Sequence, residues 1–231
     1  MKGIGARATR TLSASRAAEE GKPRLPPRYP LAPIDSLFIF STLRYKELMN
    51  RRILLVTADA GESYETLYAV HRFREAGDTV TIAAPSRRRL HLVMHDFEPG
   101  WDTYIERPGY SLDATLAFSD ARVEDFDAIL LLGGRAPEYL RHNEKLLQLV
   151  RAFDAAKKWV FAICHGIQIL VAAGLVRGRC VTCYENVRFE VTQAGGTWDQ
   201  REAVRDERII TAQTWQSHPD FYRLVFAALE E

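Results

Sequence analysis

The segment Trp159-Val160-Phe161-Ala162-Ile163-Cys164-His165-Gly166 decides the fold. Its first five residues are apolar without a break, as in a strand covered on both faces, and a helix over 166–173 follows at once, closed near Gly174. A strand that turns through one residue into a helix is a nucleophile elbow, with Cys164 at the turn. A free cysteine is most often packing material. Here His165-Gly166 follows it and another apolar run ends in Gly133-Gly134, which moves the balance toward chemistry. A helix N-terminus beside the thiol predicts a lowered pKa, and the elbow predicts sulfur exposed above the carboxyl ends of the strands. The backbone N–H of His165 would face a developing oxyanion, and Gly134 offers a second donor.

Outward from this point the pattern alternates. Asp127–Leu132 (DAILLL) is a strand, followed by a helix over 139–156 with Leu140, Leu146, Leu147, Val150 and Phe153. Ile53–Val56, a helix over 62–76 with Leu67, Val70, His71 and Phe73 near one side, a Gly77-Asp78 turn and Thr79–Ala83 form a βαβ unit. Residues 86–118 read as loop and short strand, with His91–Phe97 the best strand candidate. Residues 180–184, 187–194, 208–213 and 218–229 continue the alternation. The expected fold is α/β, a mostly parallel sheet with helices on both faces.

The 231 residues are 47% apolar and 26% charged, enough for a core that needs no metal or disulfide staple. Three cysteines, an odd and small number, argue against a disulfide framework and for a reducing, cytoplasmic compartment. No run reaches the ~18 apolar residues of a membrane span. Residues 1–35 hold seven Lys/Arg against three acidic side chains, while the rest holds 24 basic and 27 acidic ones. The body is mildly acidic, and nucleic acid is not an expected partner. Lys22–Pro30 has four prolines in nine residues, so 1–50 reads as a disordered or loosely attached extension with some transit-peptide character. Leu37–Phe40 is a short apolar patch within it, and Met49 stands as an internal start before a single domain over 51–231.

Other polar residues weigh less. Glu65, one helical turn past Glu62, reads as a solvated charge. Cys180 and Cys183 have metal-type spacing but no second pair, so no metal is expected and packing or a minor redox role remains. His71 and His142 read as surface or partner-paired residues on helices. His218 opens the last helix, and with Trp215 it is a candidate for the pocket rim. Gly133-Gly134-Arg135 is not a phosphate loop, and no cofactor is expected.

Thr57–Glu65 (TADAGESYE), Phe126–Leu140 (FDAILLLGGRAPEYL), Ala162–Gly174 (AICHGIQILVAAG), Gly178–Tyr184 (GRCVTCY) and Ala194–Gly196 together resemble the ThiJ/PfpI superfamily over about 51–229. His95–Glu98, with Tyr104, Glu106, Gly109 and Ala114-Thr115, is similar to its plant glyoxalase-like subgroup. The resemblance implies a flavodoxin-like three-layer sandwich and the chemistry of cysteine-dependent glyoxalases, deglycases or PfpI-type peptidases. It makes Cys164 the nucleophile, Glu62 the carboxylic acid beside the sulfur, and His165 the histidine of the hydrolase-like branch. Glu138 becomes the carboxylate that reaches a neighbouring subunit's histidine, in a homo-oligomer, dimer or hexamer. His95, Tyr184 and Asn186 become rim residues. Leu132 stands where the family often has proline before the paired glycines, a place with no chemical role. Taken by its position alone, Glu62 is a helix N-terminal carboxylate which, pressed against a thiolate, would stay protonated and act as acid or base. The leading expectation is a small 2-oxoaldehyde substrate. A Cys-His-Glu peptidase or amidohydrolase and a non-catalytic redox sensor or stress chaperone are the alternatives.

Overall fold

The structure, a computed structural model, describes residues 50–231. The extension, with Leu37–Phe40 and Met49, lies outside the described residues. In chain order the elements are β1 (Arg52–Val56), α1 (Ser63–Glu75), β2 (Thr79–Ala84), β3 (Arg88–Asp96), β4 (Ile105–Ala114), β5 (Leu116–Ala117) and β6 (Ala128–Leu131). They continue with α2 (Ala136–Leu140), α3 (Glu144–Ala155), β7 (Trp159–Ile163), α4 (Ile167–Ala173), β8 (Cys180–Val181) and α5 (Arg188–Gln193). β9 (Thr197–Trp198), β10 (Ala203–Asp206), β11 (Ile209–Ala212) and α6 (His218–Leu229) complete them.

One seven-stranded sheet runs β10-β11-β7-β6-β1-β2-β5, and only the edge strand β10 pairs antiparallel. This is the expected flavodoxin-like α/β architecture. Every residue of β6 and β7 is buried, which is why both read as unbroken apolar runs. Phe73 of α1 meets Tyr222 and Phe226 of α6 at 5.8 and 5.5 Å between ring centroids, so these helices share one face. Right-handed crossovers put α3 and α4, which pack together, on the other. The chain leaves β1 outward to β2 and β5 and returns to β6 on β1's other side. The loops after β1 and β6 therefore part at the carboxyl end of the sheet, where such folds open a crevice.

Three local expectations change. The helix foreseen over 139–156 is two helices, α2 and α3. Asn143 breaks it, because its side chain accepts from Leu146 N–H at 3.1 Å and starts α3 as an N-cap. Residues 86–118 hold a β3–β4 hairpin with a register shift between His91 and Val93. α1 buries Glu65, Thr66, Ala69, Val70 and Phe73, whereas His71 is exposed and Leu67 half-buried, so its inner face is rotated from the expected one.

The hairpin docks on the β1–α1 loop. Ala60 N–H donates to His91 O at 2.7 Å, Val93 N–H to Gly61 O at 2.9 Å, and Tyr110 N–H to Ser63 Oγ at 3.0 Å. Gly109 permits this, since a Cβ there would stand 2.9 Å from Ser63 Cβ. No described helix is long and apolar enough to cross a membrane.

Phe73 is fully buried in the α1–α6 seam. Phe73→Ala is expected to lower stability by about 3–5 kcal/mol in denaturant unfolding; a loss below about 1 kcal/mol would show that the seam does not hold these helices.

Candidate active site

Cys164 follows β7 with φ 58°, left-handed backbone that a non-glycine residue rarely adopts. Such a conformation costs about 1–3 kcal/mol and persists only where its surroundings enforce it. They do so by close backbone approach. A Cβ on Gly166 would meet Leu131 O at 2.3 Å, and one on Gly133 would meet Cys164 Cβ at 2.6 Å. Gly134, at φ 80°, lies against Glu62 N. The backbone N–H groups of Gly134 and His165 lie toward the Cys164 sulfur and favour its thiolate.

The thiol itself departs from expectation. Cys164–Gly166 is a 3-10 turn ahead of α4, and Cys164 is 6% exposed. Burial, then the Glu65 carboxyl, push the thiol well above its ordinary value. Loss of hydration outweighs the helix end, so the resting sulfur is neutral and enclosed rather than an exposed thiolate.

Both acidic residues are buried, and Glu65 rather than Glu62 lies against the sulfur. Glu62 is the N-cap of α1, with its side chain folded back to accept from Glu65 N–H at 2.6 Å and His95 N–H at 3.4 Å. Glu65, expected in solvent, is fully buried and lies against the sulfur. Its Oε2 accepts from Gly133 N–H at 2.8 Å, and its Oε1 is buried with no hydrogen-bond partner among the described residues. The reason is helical geometry: Glu65, Ala69 and Phe73 are four apart and share the inner face. Burial, with Glu62 nearby, pushes the Glu65 carboxyl up to about 8, while burial also raises Glu62. Glu65 therefore carries a proton at neutral pH, the state expected of Glu62.

His165 is buried, with Nδ1 3.3 Å from Cys164 Sγ. Burial pushes it down to about 4, so the imidazole is neutral. The hairpin roofs this pair. His95 is buried, its Nε2 2.9 Å from Glu106 Oε2 and its ring stacked on Tyr104 at 3.9 Å. Tyr184, also buried, lies 5.3 Å from the His165 ring and accepts from Asn186 Nδ2 at 2.8 Å. Trp215 is half-buried at the edge and donates from Nε1 to His95 O at 3.1 Å. His218 lies elsewhere, stacked on Tyr68 at 4.4 Å in the α1–α6 seam beside Tyr222. Glu138 is exposed on α2, and among the described residues no ion pair joins it to His165. Cys180 and Cys183 are free thiols, Cys183 buried and Cys180 half-buried with Sγ 3.7 Å from Asp199 Oδ2. No cluster of three metal-ligating side chains occurs among the described residues.

Comparison with known proteins identifies the family. A family model described as "DJ-1/PfpI family" matches residues 51–228. The chain is 37% identical over 187 residues to "Protein DJ-1 homolog D" of Arabidopsis thaliana, covering 78% of this chain and 48% of that protein. It thus spans about half of that relative's length. It is 37% identical over 162 residues to a protein named as a deglycase from Pyrococcus horikoshii, covering 70% of this chain and 89% of the relative. The crystal structure of Drosophila melanogaster DJ-1beta superposes with TM-score 0.64 at 20% identity, covering 79% of this chain and 91% of that one, a likeness of fold.

A neutral Glu65 has a measurable cost. Its carboxyl titrates near 8 when folded against 4.5 ordinarily, so the unfolded chain releases this proton first as pH rises. The stability it lends is complete below pH 4.5 and is lost on the way to 8. Wild-type unfolding midpoints should therefore fall between pH 5 and 8 relative to those of Glu65→Gln, which has no proton to lose; parallel profiles would refute a neutral Glu65.

Proposed function

The chain belongs to the DJ-1/PfpI family, and we propose that it is a cysteine-dependent, cofactor-independent enzyme of glyoxalase or deglycase type acting on small 2-oxoaldehydes. The observation that carries this reading is the neutral Glu65 carboxyl pressed against the Cys164 thiol in an enclosed site. Moving a proton between two adjacent carbons of a carbonyl compound needs an acid–base group that titrates near working pH, and Glu65 at about 8 fits.

In this reading Cys164 Sγ adds to the aldehyde carbon. The thiol proton passes by way of His165 Nδ1, 3.3 Å away, to the carbonyl oxygen, giving a hemithioacetal. The amides of His165 and Gly134 stabilise the oxyanion as it forms. The neutral Glu65 then gives its proton to the C2 carbonyl oxygen as it takes the C1 proton, forming an enediol, and it returns that proton to C2 as it takes back the proton of the C1 hydroxyl, which yields a thioester. Water hydrolyses this to the 2-hydroxy acid and frees the thiol. The role first read for Glu62 falls to Glu65, and Glu62 becomes the cap that holds α1 and the hairpin in place.

The burial of Cys164, next to a His165 ring flanked by Tyr104 and Tyr184, favours a small carbonyl over a peptide chain. The proposal keeps a homo-oligomer in which exposed Glu138 reaches a second copy, and it keeps a cytoplasmic setting for an enzyme with three free thiols.

Cys164→Ala should abolish loss of methylglyoxal and formation of the 2-hydroxy acid, followed by proton NMR. Glu65→Gln should lower kcat by about 100-fold or more. Turnover by Cys164→Ala at the wild-type rate would end the proposal, and cleavage of a peptide library with no aldehyde turnover would favour the peptidase reading.

A further inference from the structure

The hairpin carries a cluster to which the reaction above gives no role. Arg135 grips Glu106 twice, Nε to Oε2 at 2.6 Å and Nη2 to Oε1 at 2.8 Å. The same Oε2 lies 2.9 Å from His95 Nε2. His95 stacks on Tyr104 at 3.9 Å and 21°, and Tyr104 turns its ring edge-on to His165 at 5.9 Å and 86°. Arg135 directly follows Gly134, whose amide faces the sulfur. The cluster is thus anchored in the site at both ends, by the Gly134–Arg135 peptide and by His165.

The chemistry of the cluster fixes an orientation. Arg135 and His95 hold the Glu106 carboxyl down at about 2, so it is ionised. Burial pushes His95 down, so a neutral imidazole donates Nε2–H to that carboxylate. A ring fixed in this way fixes the ring stacked on it. Tyr104 is half-buried and within electrostatic reach of Cys164, Glu138 and Tyr184. Burial pushes its phenol up to about 12, so it keeps its proton at working pH.

We propose that Tyr104 is a further catalytic residue, its phenol O–H donating a hydrogen bond to the oxygen of the carbonyl that Cys164 attacks, with His95 and Glu106 as its positioning residues. The inference rests on the aldehyde reading and adds a side-chain donor to the two backbone ones. As the Sγ–C bond forms, the carbonyl π pair moves onto oxygen. The thiol proton ends on that oxygen, and Tyr104 keeps its own. Nothing is oxidised or reduced. A phenol at the mouth also serves a short, polar substrate better than a long apolar one.

Tyr104→Phe keeps both ring stacks and removes only the donor. It should lower kcat for methylglyoxal about 100-fold with KM little changed. Alkylation of Cys164 by iodoacetamide, which forms no oxyanion, should proceed at the wild-type rate. Glu106→Gln should lower kcat without a matching rise in KM, and Glu106→Asp should restore part of it. A Tyr104→Phe kcat within about threefold of wild type overturns the proposal. If wild type and Cys164→Ala consume methylglyoxal equally, the aldehyde reading has failed instead. The Cys164 adduct with ¹³C-labelled methylglyoxal, measured by NMR, then still decides on Tyr104: a smaller adduct fraction in Tyr104→Phe supports the donor, and equal fractions refute it.

Discussion

The left-handed backbone at Cys164 is the constraint from which the rest of the site follows. A strand that runs straight into a helix can hold this conformation only if the neighbouring backbone comes very close, and that approach demands glycine at 133 and 166. Once β6 and β7 meet in this way, the amides of Gly134 and His165 converge on sulfur and the carboxyl of Glu65 has nowhere else to lie. The strain is local. It is offset by the fully buried parallel strands β6 and β7, whose register leaves Leu131 O beside the turn.

The second layer of the site depends on the hairpin. β3 and β4 belong to a small antiparallel sheet of their own, joined to the main body by hydrogen bonds to Ala60, Gly61 and Ser63. Its contribution is a roof of His95 and Tyr104, and its attachment runs through the same β1–α1 loop that carries Glu62. Cap, roof and sulfur are therefore coupled through one short stretch of chain, and Gly61, Ala60 and Gly134 pack backbone against backbone at its centre.

Most of this architecture was legible in the sequence because buried parallel strands declare themselves as apolar runs. Cys164, His165 and Gly134 sit in the predicted arrangement. Glu65 was not recognised because a lone carboxylate on a helix is ordinarily solvated. Its spacing of four to Ala69 and of eight to Phe73 was the signal that places it inside. Tyr104 and Glu106 were legible only as family matches without a role, and Arg135 had none, because Arg135 meets Glu106 across 29 residues of sequence and no local period records that contact. The direction of the thiol's pKa was missed because enclosure depends on the roof, which sequence patterning did not reveal.

The site concentrates features that weaken a fold: a residue in left-handed backbone, a neutral carboxyl in the core and a histidine kept uncharged by burial. Glycine at 164 relaxes the backbone strain, and an isosteric uncharged residue at 65 or 165 removes a desolvated titratable group. A descendant of this chain that no longer needed the reaction would drift first at Cys164, Glu65 and His165 while Phe73, Phe161 and Leu131 stayed in place. The integrity of that trio in any related sequence is thus a readable record of continuing use, independent of how well the surrounding sheet is preserved.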